Sequence, residues 1–309
     1  MCRGYLFYRH SYYLKYTIYN TITLKADYMS SFYKNAGGMV RPTTKEELQR
    51  EIRVRLDRGQ TNLNDIDTSK ITDMSALSSG FMDRNLSHID ISQWDVSNVR
   101  NMENMFDYCD SFNSDISNWD VSNVRNMNGM FYGCVKFNSD LSKWNVSKVE
   151  DMNNMFAFCN AFNSDLSKWN VSRVEDMKLM FYGCLNFNSD ISEWNTSNVT
   201  DMRDMFHGCT NFNSDLSHWN TSKVENMSEM FCGCTNFNSD LSRWDVKKVN
   251  STSGMFYSCG NFNCDLSDWE IRLIINMDCM FRHSGVKNKP EWYKKRFNTI
   301  KTFYEISPF

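Results

Sequence analysis

Proline is scarce in this 309-residue chain, and its three prolines, Pro42, Pro290 and Pro308, all lie near the ends. A long stretch without proline suits a backbone whose N–H groups are needed for bonds between neighbouring segments. The chain also lacks any run of 18 apolar residues, so no transmembrane helix is predicted. Its net charge is only -3 and its pI is near 6.0. This balance offers no electrostatic reason to bind nucleic acid or anionic membranes.

The motifs of common catalytic sites are also missing. There is no glycine-rich phosphate loop, no H-E-x-x-H and no nucleophile elbow. Histidine is rare, and the five copies show no ligand spacing: His10, His88, His207, His218 and His283. We therefore expect a protein that is not an enzyme, with no catalytic residue, no cofactor and no metal.

What the chain has instead is one unit repeated every 25 residues. The copy at 144–168 reads WNVSKVEDMNNMFAFCNAFNSDLSK, and tryptophan recurs at 94, 119, 144, 169, 194, 219, 244 and 269. Such a period indicates a stacked repeat architecture. We predict a degenerate first repeat at 66–93, seven regular repeats at 94–268 and a truncated last repeat at 269–289.

Apolar spacing within the unit predicts its local structure. Val149, Met152, Phe156 and Cys159 follow one another at intervals of 3, 4 and 3, which favours a short helix near 148–158. A short strand is expected near 165–169, pairing with its copies in a parallel sheet. The predicted fold is therefore an α/β solenoid of stacked strand–helix units.

The two flanks of the array carry helix signals. Thr43 and Thr44 precede Glu46 and Glu47 in a capping-box pattern, so 39–65 is predicted to form an N-terminal cap helix that ends at Gly59. Pro290 opens a second pattern, with Tyr293, Phe297, Ile300 and Tyr304 on one face. The segment 290–309 is predicted to be the C-terminal cap helix. Residues 1–38 are tyrosine-rich and match neither a repeat nor a signal peptide. They are interpreted either as a short extension or as a segment outside the native product, with Met39 as the start.

Seven of the eleven cysteines occupy one repeat position: Cys109, Cys134, Cys159, Cys184, Cys209, Cys234 and Cys259. One interpretation is that each thiol packs as a small apolar group. The other is that neighbouring cysteines pair under oxidation, because strands about 4.8 Å apart fall within disulfide range. Zinc is not predicted, because no C-x₂-C pair occurs.

The repeat unit resembles that of a known family. The stretches NMNGMFYGC at 126–134 and FNSDLSKWNVSKV at 137–149 look like the BspA-type leucine-rich-repeat surface proteins, and more specifically their 25–26-residue branch in mycoplasmas. The resemblance covers roughly 43–283. It implies a leucine-rich-repeat-like fold that binds proteins, with display on the cell surface. The absence of a signal peptide, lipobox or wall-sorting motif favours an intracellular protein instead, so the compartment stays open.

Positions that differ between copies are candidates for function. The residue before each tryptophan varies most clearly and is predicted to form a column along the sheet face: Asn118, Lys143, Lys168, Glu193, His218 and Arg243. This column is either a partner-binding surface or a solvated row of mixed charge. An aspartate column from Asp90 to Asp265 is expected to accept turn N–H groups, with calcium binding as the alternative. An asparagine column from Asn113 to Asn263 is expected to form an internal hydrogen-bonded ladder.

These observations predict a monomeric repeat protein that binds another protein through its sheet face. The alternative is a structural protein that associates with itself through exposed edges.

Overall fold

The computed structural model describes residues 39–81, 86–274 and 276–295. Helix α1 spans Lys45–Asp57 and helix α2 spans Ser78–Phe81. A third helical segment, α3, covers 291–295. Across these described ranges, parallel pairing is limited to isolated bridges. None of the helices in them has the length and apolarity to cross a membrane. The segment 1–38 lies outside the described residues.

Successive repeats stack as parallel layers. The bridges run from copy to copy at one position of the unit, and they join Asp73, Asn101, Asn126, Asp151, Asp176, Asp201, Asn226, Ser251 and Asn276 in order. Each layer thus touches the ones before and after it, in the register that the period predicts.

The expected α/β solenoid of strand–helix units is wrong. Residues 148–158 form turns rather than a helix. The N–H groups of Met155, Ala157 and Cys159 donate to carbonyls three residues back in the same layer. Those of Met152, Asn154, Phe156 and Phe158 donate to carbonyls of the next layer at 2.6–3.2 Å. Half of the donors that an α-helix would use internally therefore connect layers, and the 3-4-3 spacing of buried residues arises from turns.

Backbone conformation enforces this pattern. Asn154 and Phe158 have φ angles of 56° and 63°, the left-handed region that a right-handed helix cannot contain. The same two positions have positive φ in every copy from Asn104 to His283.

The expected strand at 165–169 is also absent. Trp169 closes a turn by donating its N–H to the Leu166 carbonyl at 3.1 Å. The N–H of Leu166 donates to the hydroxyl of Ser189 in the next layer at 2.9 Å. Side-chain oxygens thus replace the backbone ladder that a parallel sheet would need.

Aromatic columns form the core. Phe156 stacks on Phe131 and Phe181 at 5.6 Å between ring centroids, and on Phe162 of its own layer at 4.0 Å. The repeat tryptophans are 3–4% exposed. Their indole N–H groups reach back one layer, as when Trp169 donates to the Leu141 carbonyl at 3.0 Å. Each indole therefore fills the core and satisfies a buried carbonyl of its neighbour.

A helix is present ahead of the array where the sequence predicts one, and its role as a cap stays a prediction. Thr44 is the N-cap of α1 and accepts the N–H of Glu47, while Gly59 follows the helix end at φ 74°. Leu48 and Ile52 are fully buried. Arg55 does more than complement the helix dipole, since its buried guanidinium bonds Glu51 and Asp65 at 2.6 Å.

The described part of the C-terminal segment also closes the stack. Trp292 of α3 lies parallel to Trp269 at 6.2 Å and donates its indole N–H to the Leu266 carbonyl at 2.8 Å. It therefore repeats the contacts of the layer tryptophans. Tyr293 is buried as expected, whereas Phe297, Ile300 and Tyr304 lie outside the described residues.

Candidate functional site

The varying column before the tryptophans lies on the surface, as predicted. Asn118, Lys143, Lys168, Glu193, His218 and Arg243 are all exposed. They sit in turns and not on a sheet face, so the predicted position on a strand is wrong. A shallow depression of about 450 Å³ lies at Glu193 and His218, beside Asp190 and Asp215. Partner binding at this column stays a prediction.

The aspartate column caps turns, as expected. The Oδ1 atoms of Asp90, Asp115, Asp140, Asp165, Asp190, Asp215, Asp240 and Asp265 accept the N–H of the serine two residues on at 2.9–3.1 Å. The N–H of Ser142 and of Ser167 lowers the pKa of Asp140 and of Asp165, because it stabilises the ionised carboxylate.

The asparagine column forms the predicted ladder. The side-chain oxygen of each asparagine accepts the backbone N–H of its copy in the next layer at 2.8–2.9 Å, from Asn113 to Asn263. These side chains are exposed and not internal. The ladder therefore ties the layers together from the outside.

The cysteine column packs in the core, as the first interpretation predicts. Cys134 and Cys159 are fully buried, and their thiols donate to the carbonyls of Phe106 and Phe131 at 3.0 Å. The cysteines of this column are all free thiols. Burial raises the pKa of the Cys259 thiol to about 12, so these groups are poor nucleophiles.

Two further features of the structure were not predicted from the sequence. The first is a ladder of exposed aromatic rings. We call Tyr108, Tyr132, Phe158 and Tyr182 the aromatic ridge. Their centroids lie 5.0–5.5 Å apart in edge-to-face pairs. Tyr108 is 50% exposed and the other three are partly exposed.

Glycines in alternate layers make room for the ridge. A Cβ on Gly133 would lie 3.1 Å from the ring of Tyr108, and a Cβ on Gly183 would lie 3.1 Å from the ring of Phe158. Glycine in one layer therefore leaves room for the ring of the previous layer. The alternation of Tyr108, Gly133, Phe158 and Gly183 at one repeat position was the signal in the sequence.

The second feature is a polar cluster at the end of the ridge. The His207 ring lies 4.6 Å from Tyr182 between centroids. Its Nδ1 is 3.0 Å from Asp204 Oδ1 and 3.3 Å from Glu229 Oε2. One nitrogen of His207, one oxygen of Glu229 and the sulfur of Cys232 all lie within 4.8 Å of one another. We call His207, Glu229 and Cys232 the ligand cluster.

The neighbours of His207 favour its charged form. Burial alone would lower its pKa, but hydrogen bonds to the Asp204 carboxylate and the Cys232 sulfur outweigh burial and raise the pKa to about 10.

The cluster was missed because its members are far apart in the chain. Asp204 and Glu229 share one repeat position, and His207 and Cys232 share another. Ligand motifs are normally sought at short spacings, whereas in a stack the relevant spacing is one full period.

Comparison with known proteins identifies a family. The family described as "Mycoplasma protein of unknown function, DUF285" matches residues 75–194 and 180–292. No curated protein and no solved structure matches the chain. The two family matches include all seven regular repeats and together span more than half of the chain. The chain therefore belongs to this Mycoplasma repeat family.

Proposed function

We propose that this protein is a non-enzymatic binding protein, whose stacked layers present the aromatic ridge to a protein partner. The observation that carries the proposal is the line of partly exposed rings from Tyr108 to Tyr182. Aromatic residues are enriched at the centres of protein interfaces. Tyrosine in particular supplies a large contact area with little conformational entropy to lose.

The surroundings of the ridge favour the same function. Val135 and Leu185 follow Tyr132 and Tyr182 by three residues, and they are 39% and 43% exposed. Three of the five exposed large hydrophobic residues in the described ranges, Tyr108, Val135 and Leu185, thus belong to this stretch of the unit. Contiguous exposed apolar surface is typical of interaction sites.

The scaffold suits binding better than catalysis. Main-chain hydrogen bonds join each layer to the next, so a partner would meet a surface that is already ordered. The similarity of the repeat unit to BspA-type surface proteins supports protein binding or adhesion as the role.

The test compares two matched variants as baits. The ridge variant carries Tyr108→Ser, Tyr132→Ser and Tyr182→Ser. The column variant carries Lys143→Ser, Lys168→Ser and Arg243→Ser, all at exposed positions. Proteins retained from an extract of the source cells are quantified for both variants and for the wild type, after circular dichroism has verified that the variants are folded.

We expect at least one protein that the wild type and the column variant retain and that the ridge variant loses at least tenfold. Loss from the column variant alone would move the site to the varying column. Retention by all three baits would overturn binding through either surface.

Self-association is the second candidate. Sedimentation of the wild type across a concentration series distinguishes partner binding from self-association. A binding protein stays a discrete species at all concentrations, whereas a structural protein forms assemblies that grow with concentration.

A further inference from the structure

The ligand cluster has the composition of a transition-metal site. Imidazole nitrogen, thiolate sulfur and carboxylate oxygen are the three donor types that zinc accepts. Sulfur disfavours magnesium and calcium, which prefer oxygen donors. Donors bound about 2.0–2.3 Å from one tetrahedral ion lie about 3.3–3.8 Å apart, and the three atoms here all lie within 4.8 Å of one another.

The backbone holds the donors in place. The four side chains come from two neighbouring layers, and the N–H of Asp204 donates to the Ser228 carbonyl at 2.9 Å. The N–H of Gly208 donates to the Cys232 carbonyl at 2.7 Å. Within the layers, His207 and Cys232 close turns onto Asp204 and Glu229 at 3.2 and 3.0 Å. Little rearrangement is therefore needed to bring the donors onto one ion.

Two neighbouring side chains, a carboxylate and an aromatic ring, hold the imidazole of His207 in position. Asp204 lies 3.0 Å from Nδ1 of His207, and a carboxylate at this distance from one ring nitrogen can orient an imidazole that binds zinc through the other. Tyr182 covers the ring at 4.6 Å, and the imidazole side chain is 25% exposed. The ring is thus fixed while the cluster stays open to ions from solvent.

The other repeats provide an internal comparison. In the other repeats, different residues take the positions of Asp204 and His207. In chain order these pairs are Asn104 and Asp107, Gly129 and Tyr132, Asn154 and Ala157, Leu179 and Tyr182, Gly254 and Tyr257, and Cys279 and Arg282. No other neighbouring pair of these repeats places four potential ligands together. The cluster is therefore not a consequence of the consensus packing.

We propose that His207, Glu229 and Cys232 bind one divalent transition-metal ion of the zinc class, with a fourth coordination position open to solvent or to a side chain of a bound partner. Ions of this class bind neutral imidazole and thiolate, so binding is coupled to proton release. Because the cluster adjoins the aromatic ridge through Tyr182, the ion lies next to the proposed docking surface. The metal site does not depend on that function.

The test uses cobalt(II) as a spectroscopic probe on full-length protein that has been treated with a chelator and kept reduced. The titration is run at mildly alkaline pH, because thiolate and neutral imidazole are the forms that bind metal ions. We expect thiolate-to-cobalt charge-transfer absorption that saturates at one ion per chain and disappears when zinc(II) is added.

Matched variants assign the signal. Cys232→Ser should abolish the charge-transfer absorption, and His207→Asn should weaken cobalt binding at least tenfold. Cys264→Ser and His218→Asn serve as controls. Cys264 is a partly buried thiol whose sulfur lies 3.4 Å from Asp240, and His218 is exposed. Both control variants should bind cobalt with the affinity of the wild type.

Charge-transfer absorption that persists in Cys232→Ser, or fails to develop in the wild type, would overturn the proposal. X-ray absorption of the zinc-loaded wild type tests it without any variant. One sulfur with nitrogen and oxygen ligands supports the site, and two or more sulfurs refute it.

Discussion

At the residue scale, a side chain's place in the repeat decides its chemistry. Cys159 and Cys232 are both thiols, but Cys159 is sealed in the core and bonded to the Phe131 carbonyl. Cys232 lies partly exposed beside an imidazole and a carboxylate. The position of His207 and Cys232 is occupied in an earlier repeat by Asp107, whose burial raises its pKa to about 7.

Asp107 gives a prediction about pH. In the unfolded chain its pKa is about 3.9, so the unfolded state binds fewer protons between pH 4 and 7. Stability is therefore lost as pH rises through this window. We expect Asp107→Asn to leave stability unchanged near pH 4 and to raise it at pH 8 by on the order of 2 kcal/mol, allowing for solvent screening.

Urea denaturation at the two pH values measures this difference. Asp110→Asn, at an exposed position three residues away, is the control for the removal of a carboxylate that is not buried. An equal change in stability at pH 4 and pH 8 for Asp107→Asn would contradict the role of its ionisation.

At the element scale, the unit is built from turns whose shape requires left-handed residues. Gly183, Gly208 and Gly233 take φ angles of 71–76° at the second such position. Non-glycine residues such as Leu179 take φ angles near 60° at the first. The strain of these residues is offset by the main-chain bonds between layers.

Gly208 tests this requirement without a steric clash. A Cβ there would meet nothing closer than the Gly183 Cα at 3.7 Å, so Gly208→Ala adds only backbone strain. We expect it to lower the free energy of unfolding by about 1–2 kcal/mol. Gly260 has open space around it and no positive φ. Gly260→Ala should therefore be neutral or slightly stabilising, and equal losses from the two changes would show that the backbone conformation is not the cause.

At the scale of the whole molecule, the described residues form a nearly one-dimensional stack in which each layer depends on its neighbours. Trp169 lies over Trp194 at 6.4 Å and bonds back to Leu141. Trp292 lies against Trp269 in the same way but belongs to the closing segment. In such arrays stability is approximately a sum over repeats and their interfaces.

Trp169→Ala should therefore destabilise the protein more than Trp292→Ala. We expect a loss of about 3–5 kcal/mol for the central tryptophan and about 2 kcal/mol for the terminal one, which is less buried. Urea denaturation gives both values. Hydrogen exchange should show opening on both sides of residue 169 in the first variant, and only in the last repeats in the second. An equal loss in free energy of unfolding for Trp169→Ala and Trp292→Ala would contradict a stack whose stability is a sum over repeats and their interfaces.

Much of the architecture was predictable from particular residues. The tryptophan, phenylalanine and cysteine positions are buried, as identical residues recurring at a fixed period predict. The residues before the tryptophans are exposed, as their variation between copies predicts. Thr44 and Gly59 marked the helix ahead of the array. The conformation of the unit was not predictable from its apolar spacing, since Val149, Met152 and Phe156 fit a helical face and a chain of turns equally well.

The sequence by itself determined the period, the register of the layers and which side chains enter the core, because all three follow from identical residues recurring 25 positions apart. Only the tertiary structure decided where the backbone donors go, since an N–H group that bonds to the next layer leaves no trace in the apolar pattern. It also brought Asp204 and His207 next to Glu229 and Cys232, because side chains one period apart become neighbours only when the layers stack.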